Sequence, residues 1–356
     1  MTIGVNSDDE KPSNDLPQLL DLPLIDMKEF LSQDSTSVFN VTRLVDEACR
    51  KHGFFLVVNH GIDPDLIREV HEGTDLFFGM SMSEKLRTKR EPDTMFGYDT
   101  SLKGQLASNL RWLETLTFPF ISNENKSSDM QVEDYFLRTT GEEYRHFGAL
   151  MQKYCEAMNA LSLDIMELLS VSLGINKNYF REFFKENDSI MRLNYYPPCQ
   201  NPHQKLGIAP HCDPNSLTIL HQDDTGGLQV LIDEKWLTIQ PNRDAFVINI
   251  GDTFMALSNG IYKSCVHRAA VNSTTSRKSV TFFLNPNKER IIVPPSDLVN
   301  MENPRLYPDF TWSKFLDFTQ KNYRIHMKML DAFSNLLGEN SVDAFKVEDE
   351  NKEDAN

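Results

Sequence analysis

The chain has 356 residues, of which 40% are hydrophobic, so it can bury the core of one large domain or two modest ones. Its formal net charge is -16 and no tract is rich in Lys or Arg, so nothing indicates a nucleic-acid surface, because phosphate repels an acidic protein. The five cysteines are odd in number and form no CxxC pair, which argues against a disulfide framework. With no signal-peptide pattern and no apolar run of about 18 residues, we expect a cytoplasmic protein without a membrane span. We also expect it to be a monomer.

The N-terminal part of the sequence alternates short apolar runs with helical periodicity. Residues 1–20 are rich in Asp, Ser, Pro and Asn, a composition that predicts disorder. We expect a short edge strand at Leu22–Asp26, a helix through Val41–Ala48 and a buried strand at Phe54–Val58. Asp63-Pro64 is typical of an N-cap followed by a first-turn proline, so a further helix begins there.

The middle of the chain combines irregular stretches with one long helix. Periodicity fades from Lys89 to Pro119, and residues 121–133 are polar, so both stretches are expected to be loops. Apolar residues at a spacing of three to four predict a helix from about Glu142 to Leu173. We group residues 21–185 as an N-terminal helical region.

After Asn187 the pattern changes to short strands separated by turn signals, which indicates a sandwich or barrel. The predicted strands are Ile190–Tyr196, Leu217–His221, Leu228–Ile232, Trp236–Ile239, Phe246–Ile250, Cys265–Val271 and Ser279–Leu284. We expect a mixed α/β fold with a mainly β core, in which residues 186–287 would form a double-stranded β-helix (jelly-roll) barrel of two short-stranded sheets. Residues 288–338 are predicted to hold C-terminal helices, and the acidic residues 339–356 a disordered tail.

Two histidines and one carboxylate are the candidate metal ligands of the strand-rich half. His211 and Asp213 are two residues apart, so on a strand their side chains would point to the same side. His267 lies in another β-like run and has to come from a distant strand. Two imidazoles and a carboxylate can occupy one face of an Fe(II) octahedron and leave three positions open, although zinc is a rival metal.

Three open positions suit O2 and a 2-oxo acid that binds through its ketone and C1 carboxylate. The far carboxylate of such an acid then needs a cation and hydroxyl donors. Arg277 and Ser279 share one face of an extended strand, and the planar fork of Arg can donate two parallel hydrogen bonds to a carboxylate. Tyr196 and Asn194, also on one strand face, could add donors.

From about residue 22 to 337 the chain resembles the plant 2-oxoglutarate- and iron(II)-dependent dioxygenases. The resemblance includes the three candidate metal ligands His211, Asp213 and His267. The other motifs that carry it are His52–Gly61, Asn194–Gln200, Gly226–Val230 and Arg277-x-Ser279. Within that family the chain is most similar to the gibberellin 20-oxidases. The motifs for this narrower resemblance are His211–Gln222, Trp112–Phe118, Tyr307–Trp312 and Phe318–Gln320.

The resemblance implies an enzyme that oxidises carbon 20 of a gibberellin, a diterpenoid plant hormone, in successive steps of gibberellin biosynthesis. It implies Fe(II) as the metal, 2-oxoglutarate as co-substrate, O2, and ascorbate as reductant. The implied iron ligands are His211, Asp213 and His267. The implied co-substrate residues are the catalytic Arg277 with Ser279, Tyr196 and Asn194. The implied substrate-pocket residues are Trp112, Glu114, Arg111, Tyr98 and Phe118.

Departures from the usual gibberellin 20-oxidase motifs leave the oxidised carbon open. This chain has Arg111 and Leu113 in place of the usual Pro and Lys, and Ile261 in place of the usual Arg. Hydroxylation of gibberellin ring A at carbon 2 or 3, or another plant 2-oxoglutarate dioxygenase activity, is therefore an alternative. Aminocyclopropane-carboxylate oxidase-like chemistry without 2-oxoglutarate, and non-catalytic ligand binding on a barrel scaffold, are two more.

Overall fold

The structure, a computed structural model, describes residues 18–32, 34–92, 94–102, 112–122, 131–202, 205–322 and 327–338. Its α-helices are α1 Met27–Leu31, α2 Ser35–Lys51, α3 Pro64–Gly79, α4 Met82–Lys85, α5 Val132–Thr140, α6 Arg145–Ser172, α7 Tyr179–Phe183, α8 Asp252–Leu257 and α9 Trp312–Asn322. Residues 329–338 form a further helical segment. Among the described residues, no helix combines the length and the apolar character that crossing a bilayer requires.

The strands are β1 Leu24–Asp26, β2 Phe54–Val58, β3 Gly97–Thr100, β4 Glu114–Ser122, β5 Asn187–Tyr196, β6 Leu206–His211, β7 Leu217–Gln222, β8 Leu228–Ile232, β9 Lys235–Thr238, β10 Phe246–Ile250, β11 His267–Ala270, β12 Arg277–Leu284, β13 Ile291–Ile292 and β14 Phe310–Thr311. Eight of them form one sheet in the order β1-β2-β10-β7-β12-β5-β4-β3, and four form a second in the order β6-β11-β8-β9. Side chains from both sheets line one cavity between them. The predicted jelly-roll fold is confirmed.

Helix α6 supports the large sheet from outside, as its apolar periodicity predicts. It contacts β7 and β12 and also packs on α2, α3 and α5. Its inward face buries Met151, Tyr154, Met158 and Ile165, each at most 1% exposed. Burial of a large apolar side chain contributes roughly 1.5–3 kcal/mol, so this helix stabilises the strands that carry the site.

The prediction of a loop from Lys89 to Pro119 is wrong, because β3 and β4 lie in this stretch. Strand β4 pairs with β5 from Glu114 to Ser122. Its apolar face buries Leu116 and Phe118, whereas the other face carries threonines that line a smaller pocket beside the cavity. This pocket, called the adjoining lobe below, is also lined by Gly97, Ser101 and Leu113. These inward threonines and an internal proline weaken the apolar alternation that normally marks a strand.

The predicted termini agree only in part with the structure. Gln18 and Leu20, assigned above to a disordered segment, form backbone hydrogen bonds with Thr238 at the edge of the small sheet. Residues 1–17 and 339–356 lie outside the described residues. Of the predicted loop at 121–133, the first two residues belong to β4, α5 begins at Val132, and residues 123–130 lie outside the described part.

Candidate active site

The two candidate histidine ligands face each other across a strand pair. His211 ends β6 and His267 begins β11, and the register places them directly opposite each other. His211 Nδ1 lies 2.9 Å from the carbonyl oxygen of Ala209, and His267 Nδ1 lies 3.2 Å from that of Cys265. Because each Nδ1–H donates to a carbonyl, each ring offers the lone pair of Nε2 as a ligand.

Asp213 lies beyond the end of β6, in the following loop, so the expectation that it shares a strand face with His211 is wrong. The side chain is nevertheless held in place. Thr218 Oγ1 and Asn249 Nδ2 donate hydrogen bonds to Asp213 Oδ2 at 2.7 and 3.0 Å. The other oxygen, Oδ1, lies 3.3 Å from His211 Nε2 and 3.6 Å from His267 Nε2.

These three ligand atoms all lie within 4.8 Å of one another. Neighbouring ligands at about 2.1 Å from one ion would be about 3 Å apart, so the observed spacing fits a single metal ion. Burial lowers the pKa of His267 to about 4, which keeps the ring neutral as a metal ligand requires. Burial acts to raise the pKa of Asp213, but His267, His211 and Asn249 outweigh it and hold this pKa well below its usual value.

The four predicted co-substrate residues lie on adjacent strands of the large sheet and line the same cavity. The register places Arg277 opposite Tyr196 and Ser279 opposite Asn194. Asn194 Nδ2 donates to Ser279 Oγ at 3.2 Å, and the guanidinium carbon of Arg277 lies 4.9 Å from the centre of the Tyr196 ring. The alternation predicted for both strands is therefore confirmed.

Sequence reasoning did not identify Gln222, whose Oε1 accepts a hydrogen bond from Arg277 Nη2 at 3.0 Å. Gln222 pairs with Ser279 across β7 and β12. Within the described residues, Gln222 Nε2, Arg277 Nε and Asn194 Oδ1 are buried and have no hydrogen-bond partner. Buried polar groups are nearly always satisfied, and the two nitrogens can donate to a carboxylate, so this donor set fits a 2-oxo dicarboxylate.

The described residues among the expected substrate contacts lie away from the cavity. Glu114 Oε2 accepts hydrogen bonds from Lys85 Nζ at 2.6 Å and Tyr98 Oη at 2.5 Å, in a buried cluster. Phe118 packs edge-on against Phe136, with ring centres 5.0 Å apart. None of Tyr98, Glu114 and Phe118 lines the cavity or its adjoining lobe.

Trp112 is also absent from the cavity wall, and its Nε1 donates to the carbonyl oxygen of Pro197 at 3.1 Å. Arg111 lies outside the described residues. The neighbouring Leu113, Thr115 and Thr117 line the adjoining lobe instead. The odd-numbered residues of the Trp112–Phe118 motif therefore line the adjoining lobe. Assigning this motif to a strand would have predicted that, because side chains alternate along a strand.

A jelly roll that gathers two imidazoles and one carboxylate, with a buried guanidinium beyond them, defines the class of mononuclear non-haem iron oxygenases. Residues 187–286 match the model of the 2OG-Fe(II) oxygenase superfamily. Residues 22–135 match a model described as the N-terminal region of non-haem dioxygenase in morphine synthesis.

Gibberellin 20 oxidase 1 of Arabidopsis thaliana is 56% identical over 330 residues, which cover 93% of this chain and 86% of the relative. Gibberellin 20 oxidase 1-B of Triticum aestivum is 53% identical over 328 residues, which cover 92% and 89%. The crystal structure of JOX2 in complex with 2OG, Fe and JA matches with a TM-score of 0.72 at 35% identity, covering 86% of this chain and 87% of the other. The chain therefore belongs to the 2OG-Fe(II) oxygenase superfamily, and it is an Fe(II)- and 2-oxoglutarate-dependent dioxygenase similar to the gibberellin 20 oxidases named above.

Proposed function

We propose that the protein oxidises a gibberellin at carbon 20 in successive steps of gibberellin biosynthesis. The observation that carries the proposal is the 56% identity to two Arabidopsis thaliana gibberellin 20 oxidases over at least 92% of the chain. It is supported by the candidate ligand set of His211, Asp213 and His267 in the cavity. Bound iron, together with 2-oxoglutarate and O2, supplies the C–H oxidation chemistry of this superfamily.

The protein's own contribution to the metal site is orientation. The hydrogen bonds from Thr218 and Asn249 occupy Asp213 Oδ2, so that Oδ1 is the oxygen that faces the two imidazoles. The Nδ1–H bonds to backbone carbonyls fix the rotation of both rings and the nitrogen that each ring offers. Such outer partners raise metal affinity because the ligands are placed before the ion arrives.

Arg277 is proposed to bind the far carboxylate of 2-oxoglutarate with Ser279 and Tyr196, while Asn194 holds Ser279 in place. Arg277 is 2% exposed, so water competes little for its donors and a charge-assisted hydrogen bond is stronger than at the surface. Binding at this end orients the opposite end of the co-substrate toward the metal ligands.

The same proposal describes a cytoplasmic monomer that acts on a small diterpenoid and not on nucleic acid. Five free cysteines support a reducing compartment, and the net charge of -16 argues against contact with phosphate backbones.

Turnover with defined components tests the proposed reaction. Purified protein is incubated with Fe(II), ascorbate, 2-oxoglutarate and a labelled C20 gibberellin precursor, and products are separated by mass spectrometry. We expect sequential alcohol and aldehyde products at carbon 20, followed by carbon loss. The variant His211→Ala should lose both Fe(II) binding and turnover, whereas His146→Ala, which alters an exposed residue of α6, should keep both.

Each alternative has its own outcome in this experiment. Ring-hydroxylated products with an intact carbon-20 methyl group would replace the proposed reaction with ring-A chemistry. Turnover that does not need 2-oxoglutarate would favour chemistry like that of aminocyclopropane-carboxylate oxidase. An iron-loaded protein that binds the precursor but consumes no O2 would be a ligand-binding protein.

A further inference from the structure

Met95 is a thioether side chain in the wall of the cavity that contains the candidate metal ligands. It lines both the main cavity and the adjoining lobe, and His211 lines both of them as well. Met95 is half-buried, so part of its side chain faces open space. Among the described residues that line these two spaces, Met95 contributes the only sulfur atom. The cavity therefore holds one easily oxidised group in the same space as a candidate metal ligand.

The backbone around Met95 is fixed on both sides. Gly97, two residues later, begins β3 and lines the lobe. A Cβ atom on Gly97 would lie 2.6 Å from the carbonyl oxygen of Thr88, so the chain is tightly packed there. On the other side, the N–H and Oγ1 of Thr94 donate to the carbonyl oxygen of Glu91 at 3.3 and 3.2 Å. Met95 is thus held in the wall, and only its flexible side chain is free to move within the cavity.

The oxidation of a thioether fits the chemistry of this superfamily. Sulfur accepts an oxygen atom on a lone pair, so no bond of the side chain has to break. The balanced reaction converts Met95, 2-oxoglutarate and O2 into Met95 sulfoxide, succinate and CO2. The C1–C2 bond of 2-oxoglutarate breaks, one oxygen atom of O2 enters succinate, and the other forms the S–O bond. O2 accepts four electrons, of which 2-oxoglutarate and sulfur each supply two.

We propose that Met95 is an internal oxidation site. In protein that holds Fe(II) and 2-oxoglutarate but no substrate, its thioether is converted to the sulfoxide. A bound gibberellin shields Met95, because it fills the cavity and receives the oxygen atom instead; this part of the inference rests on the proposed function. The sulfoxide is polar and lies where the main cavity meets the lobe, so it weakens binding of an apolar skeleton.

Peptide mass spectrometry tests the inference on the whole protein, which is incubated with Fe(II), 2-oxoglutarate and isotope-labelled O2 without gibberellin and then digested with trypsin. Residues 91–103 form one tryptic peptide in which Met95 is the only methionine, and residues 291–305 form another in which Met301 is the only one. Met301 is 100% exposed, so it reports any oxidant that diffuses through solution. We expect labelled oxygen on Met95 to exceed that on Met301 at least about tenfold, because proximity favours a group held in the cavity.

Variants connect the modification to its effect on binding. Preincubation of wild type under these conditions should raise the KM for gibberellin about 3- to 10-fold, and a methionine sulfoxide reductase should reverse the rise. Met95→Leu keeps an apolar side chain of similar size without sulfur, so the same preincubation should leave its KM unchanged. Met301→Leu is the matched control and should behave as wild type. His211→Ala, which removes a candidate metal ligand, should leave Met95 unoxidised.

Three results would overturn the inference. The first is a Met95 that gains labelled oxygen no faster than Met301. The second is oxidation of Met95 that persists in His211→Ala or without 2-oxoglutarate, which would assign it to a diffusible oxidant. The third is a gibberellin that is turned over and yet leaves the oxidation of Met95 unchanged.

The same experiment separates this inference from the proposed function. Oxidation of Met95 in a protein that does not act on gibberellins would refute the proposed function and support the oxidation site. Turnover of the gibberellin precursor together with the first or second result would refute the oxidation site alone.

Discussion

Replacing Gln222 with Glu tests whether Arg277 must remain available to an external carboxylate. Gln222 Oε1 accepts from Arg277 at 3.0 Å, and the two residues are 3% and 2% exposed. A Glu carboxylate at this position would pair with the guanidinium that binds the co-substrate. A hydrogen bond to a charged group contributes about 1.5–3 kcal/mol and about 1.4 kcal/mol is tenfold, so we expect the KM for 2-oxoglutarate to rise roughly 10- to 100-fold.

The assay measures initial rates at varied 2-oxoglutarate with saturating Fe(II) and gibberellin, together with the Tm of each variant. Gln222→Glu should keep its kcat and its Tm, because Glu remains a good partner for Arg277. Gln222→Met removes the hydrogen bond without adding charge, so it should raise the KM for 2-oxoglutarate less than Glu does. The reasoning is refuted if Gln222→Glu binds 2-oxoglutarate as well as wild type or better than Gln222→Met. Gln229→Met, which removes the acceptor of Arg268 Nε at 2.7 Å, is the control on another strand.

Three further predictions concern stability and the metal site. Lys85→Met leaves the buried carboxylate of Glu114 without its ion-pair partner at 2.6 Å, and urea unfolding should show a loss of about 3–5 kcal/mol. Gly251→Ala would place a Cβ atom 2.0 Å from the carbonyl oxygen of Asn215, so the loop that carries Asp213 must shift. Anaerobic titration should therefore show about tenfold weaker Fe(II) binding. Burial lowers the pKa of His52 from 6.5 to about 4, so between these pH values the unfolded chain binds more protons at His52 than the folded protein does. The free energy of unfolding should therefore decrease as the pH falls from 6.5 toward 4, and urea unfolding at several pH values measures it.

Matched variants separate these effects from general damage. Adding Glu114→Gln to Lys85→Met removes the stranded charge and should recover part of the lost stability; no recovery would contradict the ion-pair explanation. Gly79→Ala, where a Cβ meets nothing within 4 Å, should leave Fe(II) binding unchanged. His52→Gln should weaken the pH dependence between 6.5 and 4, and an identical pH profile would show that other groups cause it.

The sequence by itself determined the residue types of the site and the strand faces of the co-substrate residues, whereas the approach of His267 to His211 depends on the pairing of β6 with β11. Arg277 and Ser279 share a face, as do Asn194 and Tyr196, because alternation is a local property of any extended strand. The long helix α6 was predicted for the same reason, since its periodicity lies within one segment.

Only the tertiary structure decided which residues complete the cavity. Thr117 and Arg192 are 75 residues apart in the chain and hydrogen-bond because β4 pairs with β5. That pairing also directs Glu114 away from the cavity to Lys85, and the pairing of β7 with β12 brings Gln222 beside Arg277. A one-residue change of register or of strand assignment reverses the face of every side chain, and register is set by the packing of the whole sheet rather than by any single segment.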